Sequence, residues 1–314
     1  MVREAAVTDT REKLDDDTAR AARQLSDKAE VADGVAGLSE QAVAAIDTDR
    51  VTHVVSFRDG VLVGYANITP GRDDEPAMIE AVVDPEARGQ GIGGSLVAAA
   101  LEKAGPTARI WAHGDLPAAQ ALARSHGLAP LRELLSMRRP LGDPQNPLPP
   151  LTVPDDLVLR TYAGPDDDAE ILRVNNAAFD WHPEQGGWSI DEITGRTGAD
   201  WFDPEGLFLV FDHADPNTLL GFHWTKVHPA VTHDDGDVEP SIGEVYIVGV
   251  DTGTQGRGLG KLLTLAGLIH LEDRGLPIVE LYVEGDNAAA LHTYGKLGFS
   301  RHSIDVAYGR PVDA

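Results

Sequence analysis

"TGTQGRGLGK" (residues 252–261) sets four glycines around Arg257, and "PEARGQGIGG" (85–94) repeats nearly the same string earlier in the chain. Successive backbone N–H groups in such a turn, opening a helix whose positive dipole end faces the same point, hold an anion without net positive charge. The composition makes that device necessary. Lys plus Arg total 26 against 51 Asp plus Glu, a formal charge of −25, so the overall field repels nucleic acid and anionic membranes. Any anionic ligand must be held by local geometry.

Spacing separates the loop families. A Walker A loop needs GxxxxGK[ST]; Lys261 follows Gly260, but residue 255 is Gln and 262 is Leu, which excludes it. The dinucleotide fingerprint GxGxxG is met by Gly89, Gly91 and Gly94, with Asp115 about where a ribose-binding acid would stand. In that fingerprint the glycines follow the strand directly, whereas Asp84 to Arg88 intervene here, and the second copy has Lys261 in place of the third glycine. What both copies share is [QR]xxGxG, as Arg88, Gly91 and Gly93 and as Gln255, Gly258 and Gly260, each after a strand ending Val-Asp.

The surroundings of the two loops also correspond, which marks an internal repeat. "VVSFRDGVLVGYANI" (54–68) and "LFLVFDHADPNTLLGFHWTKV" (207–227) read as strand hairpins; "MIEAVVDP" and "GEVYIVGVD" read as the strands before the loops. Leu259, Leu262, Leu263 and Ala266, extended by Ile269, have the spacing of one helix face. A further strand follows in each half, "ARIWAHGD" and "IVELYVEGD", then a short alanine-rich helix. Between the halves, "RRPLGDPQNPLPPLTVPDD" (138–156) carries six prolines that forbid a regular helix or central strand. The charged N-terminal stretch reads as an amphipathic helix at best and is assigned no chemistry.

The absence of cysteine removes disulfides, thiolate metal sites and a cysteine nucleophile. Residues 1–30 lack the apolar core of a signal peptide, and no apolar run is long enough to span a bilayer, so a cytoplasmic protein is expected, a monomer by default because the duplication already supplies two packed units. His223, His228 and His233 are five residues apart, which fits no usual metal pair, and no metal is expected.

The shared loop and its context resemble motif A of the GNAT acyltransferase superfamily, whose loop amides hold the pyrophosphate of acetyl-CoA. The resemblance implies an α/β (α+β) fold of two tandem GNAT domains, each a mixed, mostly antiparallel sheet flanked by helices. Residues 1–140 would form an N-terminal, catalytically degenerate domain, 141–156 a proline-rich linker and 157–314 the C-terminal catalytic domain. It also implies a carboxylate on the strand before the loop and a tyrosine on the helix after the next strand. Counting from the glycines places Glu244 opposite Ala77, Tyr294 opposite Ala123 and Asn287 opposite Leu116, so only the second half has these groups. Glu80 aligns with Ile247, on the other register of its strand. Taken singly, Glu244 reads as an exposed strand carboxylate and Tyr294 as a core tyrosine; together, and both missing from the duplicate, they read as a proton acceptor and a proton donor.

Several segments resemble the mycothiol synthases, GNAT enzymes that acetylate the cysteinyl amine of Cys-GlcN-Ins in the last step of mycothiol formation. They include "LRVNNAAF" (172–179), "HPEQGGW" (182–188), "WFDP" (201–204), "LLGFHWTKVHP" (219–229) and "LYVEGDNAAALHTYGKLGF" (281–299). That resemblance implies an acceptor pocket lined by Glu40, Glu184, Lys226, Glu244 and Tyr282. It implies acetyl-CoA contacts from Val248, Gly249 and Val250, from Gln255, Gly256, Arg257, Gly258, Leu259, Gly260 and Lys261, and from Asn287, Ala288, Ala289, Ala290, Leu291 and His292. A second acetyl-CoA is implied in the first half, at Ala81, Val82 and Val83 and at Gly89, Gln90, Gly91, Ile92, Gly93 and Gly94. Lys226 and Glu184 read equally as solvated surface charges. Two other readings stay open: a GNAT enzyme for a different small polar amine, and a non-catalytic module that only binds an acyl-CoA.

Overall fold

A computed structural model describes residues 6–71, 75–180, 186–232, 238–254 and 256–311, with only the backbone of Thr232 and Glu239. Glu184 and Gln255 lie outside the described residues, as does His233. The first series of elements is β1 (Val7–Arg11), α1 (Asp16–Asp33), α2 (Glu40–Ala44), β2 (Thr52–Arg58), β3 (Val61–Thr69), β4 (Met78–Val83), α3 (Ile92–Ala104), β5 (Arg109–Ala112), α4 (Pro117–Ser125) and β6 (Ala129–Pro140). It recurs as β7 (Leu157–Thr161), α5 (Asp168–Ala178), α6 (Ile190–Thr197), β8 (Leu207–Asp212) and β9 (Asp215–His228). A two-residue ladder of β10 (Val231–Thr232) and β11 (Val238–Glu239) follows, then β12 (Ile242–Val250), α7 (Leu259–Asp273), β13 (Ile278–Glu284), α8 (Ala288–Lys296) and β14 (Ser300–Gly309).

The chain forms two compact units, and they do not follow chain order. One contains the residues up to Leu134 together with those from Ser303 onward; the other runs from Leu135 to His302. The division at 140 and 157 expected from the prolines therefore differs from the observed one at both ends. The cause is strand pairing. Val306–Gly309 of β14 pair antiparallel with Ala112–Arg109 of β5, so the last strand completes the sheet of the first unit, in the order β1-β2-β3-β4-β5-β14. The end of β6 lies beside β13 in the sheet of the second unit, in the order β6-β13-β12-β9-β8-β7. The proline-rich segment is pinned to that unit: Leu141 N–H donates to Pro277 O at 2.9 Å, Gly142 N–H to Glu272 at 2.8 Å, and the Arg139 guanidinium to Asn146 O at 2.6 Å.

Each unit is a mixed, mostly antiparallel sheet with helices on both faces, as expected. In the first, Leu25 and Ala29 of α1 pack with Val55, Tyr65 and Val82, while Leu96 and Ala100 of α3 pack on the opposite face with Val54, Ala66 and Ile79. Covering both faces is why Leu62 to Ile68 of β3 are buried without alternation. In the second, Ile171, Val174 and Ile193 of α5 and α6 cover Leu209, Phe222 and Trp224, and Leu259 and Leu263 of α7 cover Val210 and Leu220. The hairpin read from "RDG" closes on Asp59 (φ 50°) and Gly60 (φ 78°), positive φ at both central positions, which matches the right-handed twist of the flanking strands.

Two expectations change. The amphipathic helix at the N-terminus is α1, capped by Asp15, whose side chain accepts from Thr18 N–H at 2.8 Å, but β1 precedes it and pairs with β2. In α7, Leu259, Leu263 and Ala266 are buried as their spacing requires, yet Leu262 is only half-buried while Leu265, Leu268 and Leu271 are also covered, so the helix is enclosed on more than one side. A chain ended at His302 is expected to lose hydrogen-exchange protection at Arg109–Ala112, whose β14 partners would be missing. Unchanged protection there would contradict the pairing.

Candidate active site

The parallel ladder between β12 and β13 consists of Gly243 with Val279 and Glu244 with Glu280, although β12 continues to Val250 and β13 to Glu284. Past Glu244, Val248, Gly249 and Val250 are paired only on their other side, to His223, Phe222 and Gly221 of β9. Among the described residues their edge toward β13 has no ladder partner. The first unit repeats this: β4 and β5 pair at Met78–Arg109 and Ile79–Ile110 and then part. Each parting leads to a glycine loop.

In the second unit Gly256 (φ 84°) and Gly258 (φ 78°) are left-handed, and a Cβ on either would meet nothing within 4 Å. Gly258 is the N-cap of α7 and provides no side-chain cap, so the N–H groups of the first helical turn are free for a ligand. Gly91 (φ 83°) stands in the same way at the start of α3. The loop cations contribute little. Arg88 is held by Asp33 at 2.6 and 2.8 Å, and Arg257 by Asp156 at 2.9 Å; Lys261 is exposed. The anion-binding capacity therefore resides in backbone dipoles, which fit a pyrophosphate. In the first unit a cavity of about 350 Å³ is lined by Ala81, Val82, Val83, Gly89, Gly91 and Gly94, among others. Ile92, Gly93 and Trp111 also border it.

The strand carrying Glu244 contains a bulge. Ile247 is opposite Trp224 and Val245 opposite Thr225, so Tyr246 is an extra residue. The equivalent β3–β4 ladder runs without interruption from Gly64–Val83 to Thr69–Met78. Matching Gly221 to Gly64 and carrying the register through the bulge puts Glu244 opposite Met78, where counting from the glycines had put it opposite Ala77. The duplicate still lacks the carboxylate.

Glu244 is buried, and its Oε2 lies 2.7 Å from Nε2 of His228. The hydrogen bond to Glu244 holds His228 above its ordinary value, with burial opposing. Lys226 faces Glu244 across the ladder, and its ammonium lies 5.2 Å from the Trp201 ring centroid and 5.5 Å from that of Tyr246. Glu280, beside Glu244 on β13, is paired with Arg138 at 2.9 Å. Tyr282 is exposed two residues further along the same strand. Lys226, Glu244 and Tyr282 thus belong to neighbouring strands of the second unit, while Glu40 is exposed in the first turn of α2 in the first unit.

Tyr294 is on α8 with its ring against Phe299 at 5.8 Å, and burial pushes its phenol up to about 12. Asn287 is the N-cap of α8: its Oδ1 accepts from Ala290 N–H at 3.1 Å, and its amide N–H groups remain available. Leu116, at the same position of α4, makes no side-chain cap. Ala288 and Ala289 are exposed on the first turn, followed by Ala290, Leu291 and His292. Among the described residues no cluster of three or more His, Asp or Glu could hold a metal ion; His223 is fully buried, bonded through Nδ1 to Leu263 O at 2.8 Å, and burial lowers it to about 4.

The Acetyltransferase (GNAT) family matches residues 17–128 and 173–299. The mycothiol acetyltransferase of Gordonia bronchialis is 62% identical, over 94% of this chain and 92% of its own, and that of Nocardia farcinica is 57% identical over 95% of each. The chain belongs to the mycothiol acetyltransferase family. Among solved structures, a tandem GNAT protein from the clavulanic acid biosynthesis pathway superposes with a TM-score of 0.65 at 20% identity, covering 98% of this chain and all of that one. The likeness extends to the tandem arrangement of two GNAT domains.

In this member of the mycothiol acetyltransferase family the first unit has its own charged group, which the sequence reading passed over. His113 lies between Glu80 (Nε2 to Oε2, 3.2 Å) and Asp305 (Nδ1 to Oδ2, 3.1 Å). Glu80 also accepts from Ser39 N–H at 2.5 Å and Ser39 Oγ at 2.8 Å, so it is a structural anchor and not an open base. Asp115 is likewise engaged, accepting from the Tyr308 hydroxyl at 2.7 Å and from Gln120, which removes it as a ribose ligand. Neither His113 nor His228 has a sequence signal: Asp305 is far from His113 along the chain, and Glu244 meets His228 only through the register of β9 with β12.

Burial disfavours the charge on His113, but the hydrogen bonds to Asp305 and Glu80 outweigh it and raise the imidazole to about 9. A folded value above the unfolded 6.5 contributes stability that is complete below about 6.5 and disappears as pH rises through about 9. Denaturant unfolding of the wild type is therefore expected to weaken between pH 6.5 and 9, and His113→Gln to flatten that slope. A slope unaltered by the substitution would remove this assignment.

Proposed function

We propose that the second unit transfers the acetyl group of acetyl-CoA to the cysteinyl amine of Cys-GlcN-Ins, completing mycothiol. The family supports the reaction; the observation that carries the site assignment is the buried carboxylate of Glu244 where the β12–β13 ladder ends, together with Met78 at its counterpart. Acetyl-CoA is a substrate that lies along the free edge of β12 with its pyrophosphate on the loop from Gly256 to Lys261 and the start of α7. Gln255 and Glu184 belong to this reading by resemblance alone.

The residues then divide the work. Glu244, directly or through one water, takes a proton from the acceptor ammonium, since only the neutral amine is nucleophilic. The unpaired backbone N–H groups between Val248 and Val250 stabilise negative charge developing on the thioester oxygen. Tyr294, whose phenol keeps its proton at neutral pH, supplies it to the departing thiolate. Asn287 bonds the pantetheine arm through its amide N–H groups. A polyhydroxylated acceptor with an ammonium suits the mixture of Glu244, Lys226 and Tyr282; Glu40 belongs to this reading by resemblance alone. The first unit, lacking the carboxylate and with Ala123 where Tyr294 stands, holds acetyl-CoA without transferring from it. The protein works in the cytoplasm as a monomer.

Release of CoA from acetyl-CoA in the presence of Cys-GlcN-Ins tests this. Glu244→Ala is expected to lower kcat by about 10² or more, the scale of general acid–base catalysis, and Tyr294→Phe to lower it as well. Full activity in both variants removes the catalytic roles; turnover only with another small amine replaces the acceptor.

A further inference from the structure

Glu244 presents two oxygens in different circumstances. Oε2 is 2.7 Å from Nε2 of His228, whereas Oε1 takes no hydrogen bond among the described residues. His228 stands two residues from Lys226 on β9, so both project to the face that carries Glu244. The side chain of Glu244 is 12% exposed and that of His228 is 37% exposed, which leaves the imidazole in contact with solvent and the carboxylate largely out of it. The charged groups facing His228 are Lys226 on its own strand, Glu244 on β12 and Glu280 on β13, the last already paired with Arg138 from β6.

A carboxylate that takes a proton from an ammonium must keep one oxygen open and its rotamer fixed, because a misplaced base loses the geometry on which proton transfer depends. We propose that His228 is the positioning residue for Glu244: its Nε2–H holds Oε2, leaves Oε1 for the acceptor ammonium, and by losing its charge as pH rises removes a positive charge from beside the oxygen that receives the proton. This rests on the reading of Glu244 as the base. While His228 is an imidazolium, the proton passed to Oε1 arrives beside a positive charge that opposes it; as a neutral imidazole it keeps the hydrogen bond without that charge. The bond to Glu244 raises the histidine above 6.5, with burial opposing, so the discharge occurs above the ordinary histidine range. The kcat of the wild type should rise with pH through that range.

The test compares kcat against pH, at saturating acetyl-CoA and Cys-GlcN-Ins, for wild type, His228→Gln, His228→Ala and Glu244→Gln. His228→Ala is expected to lose about tenfold in kcat at the wild-type plateau, with KM for acetyl-CoA within twofold. His228→Gln, which retains an N–H donor, is expected to recover most of that loss, and neither variant should show the rising limb. An imidazole signal followed by NMR in the free protein should titrate above 6.5 in the wild type and fall toward it in Glu244→Gln. A limb that persists in both histidine variants overturns the proposal, even if kcat drops, since that drop would be merely structural; so does a kcat of His228→Ala within threefold of wild type. If Glu244→Gln is inactive while the histidine variants behave as wild type, this inference alone fails. If Glu244→Gln is fully active, the functional reading falls and takes the inference with it.

Discussion

The parallel pairing of β12 with β13 lasts for two residue pairs, and the character of the site depends on where it stops. A strand edge inside a covered sheet normally has its N–H and C=O groups paired, and leaving one buried without a partner costs about 1–3 kcal/mol. Between Val248 and Val250 these groups are paired toward β9 and open toward β13. Such an edge is stable only if solvent or an amide-bearing ligand satisfies it, and a pantetheine arm has amides at suitable spacing. The glycine loop lies at the end of the same opening. One architectural feature thus brings an open strand edge and a row of free helix N–H groups together.

Both units have that opening, so the difference between them arises elsewhere. The β12 bulge is the main one. An extra residue in one strand reverses the facing of everything beyond it, and Tyr246 does this between Ile247 and Val245. The carboxylate of Glu244 is thereby placed on the face that also carries Lys226 and His228. The first unit has an unbroken β4, and its Glu80 is bound to Ser39 and His113 instead. The corresponding strand carries a buried carboxylate with one open oxygen in one unit and a carboxylate bound on both oxygens in the other.

Much of this was legible in the sequence. The glycine loops, hairpins and flanking strands have local signatures, and the doubled order of elements made the tandem fold readable. Glu244 and Tyr294 stood out because the duplicate acts as an internal control. The bulge was not legible, since one added residue has no composition signal, and it moved the counterpart of Glu244 from Ala77 to Met78. The partners of His113 and His228 were hidden for a related reason: Asp305 reaches His113 through pairing of distant strands, and Glu244 reaches His228 through a bulged register, neither of which a local pattern encodes. The proline-rich run marks where a regular helix or central strand cannot form, and says nothing of which sheet the neighbouring strands enter.

That last point bears on how the molecule comes into being. Arg109 meets Gly309 two hundred residues later in the chain. During synthesis the edge of β5 at Arg109–Ala112 stays uncovered until Val306–Gly309 have been made, so the first unit cannot complete its sheet before the residues of the second, Leu135 to His302, have left the ribosome.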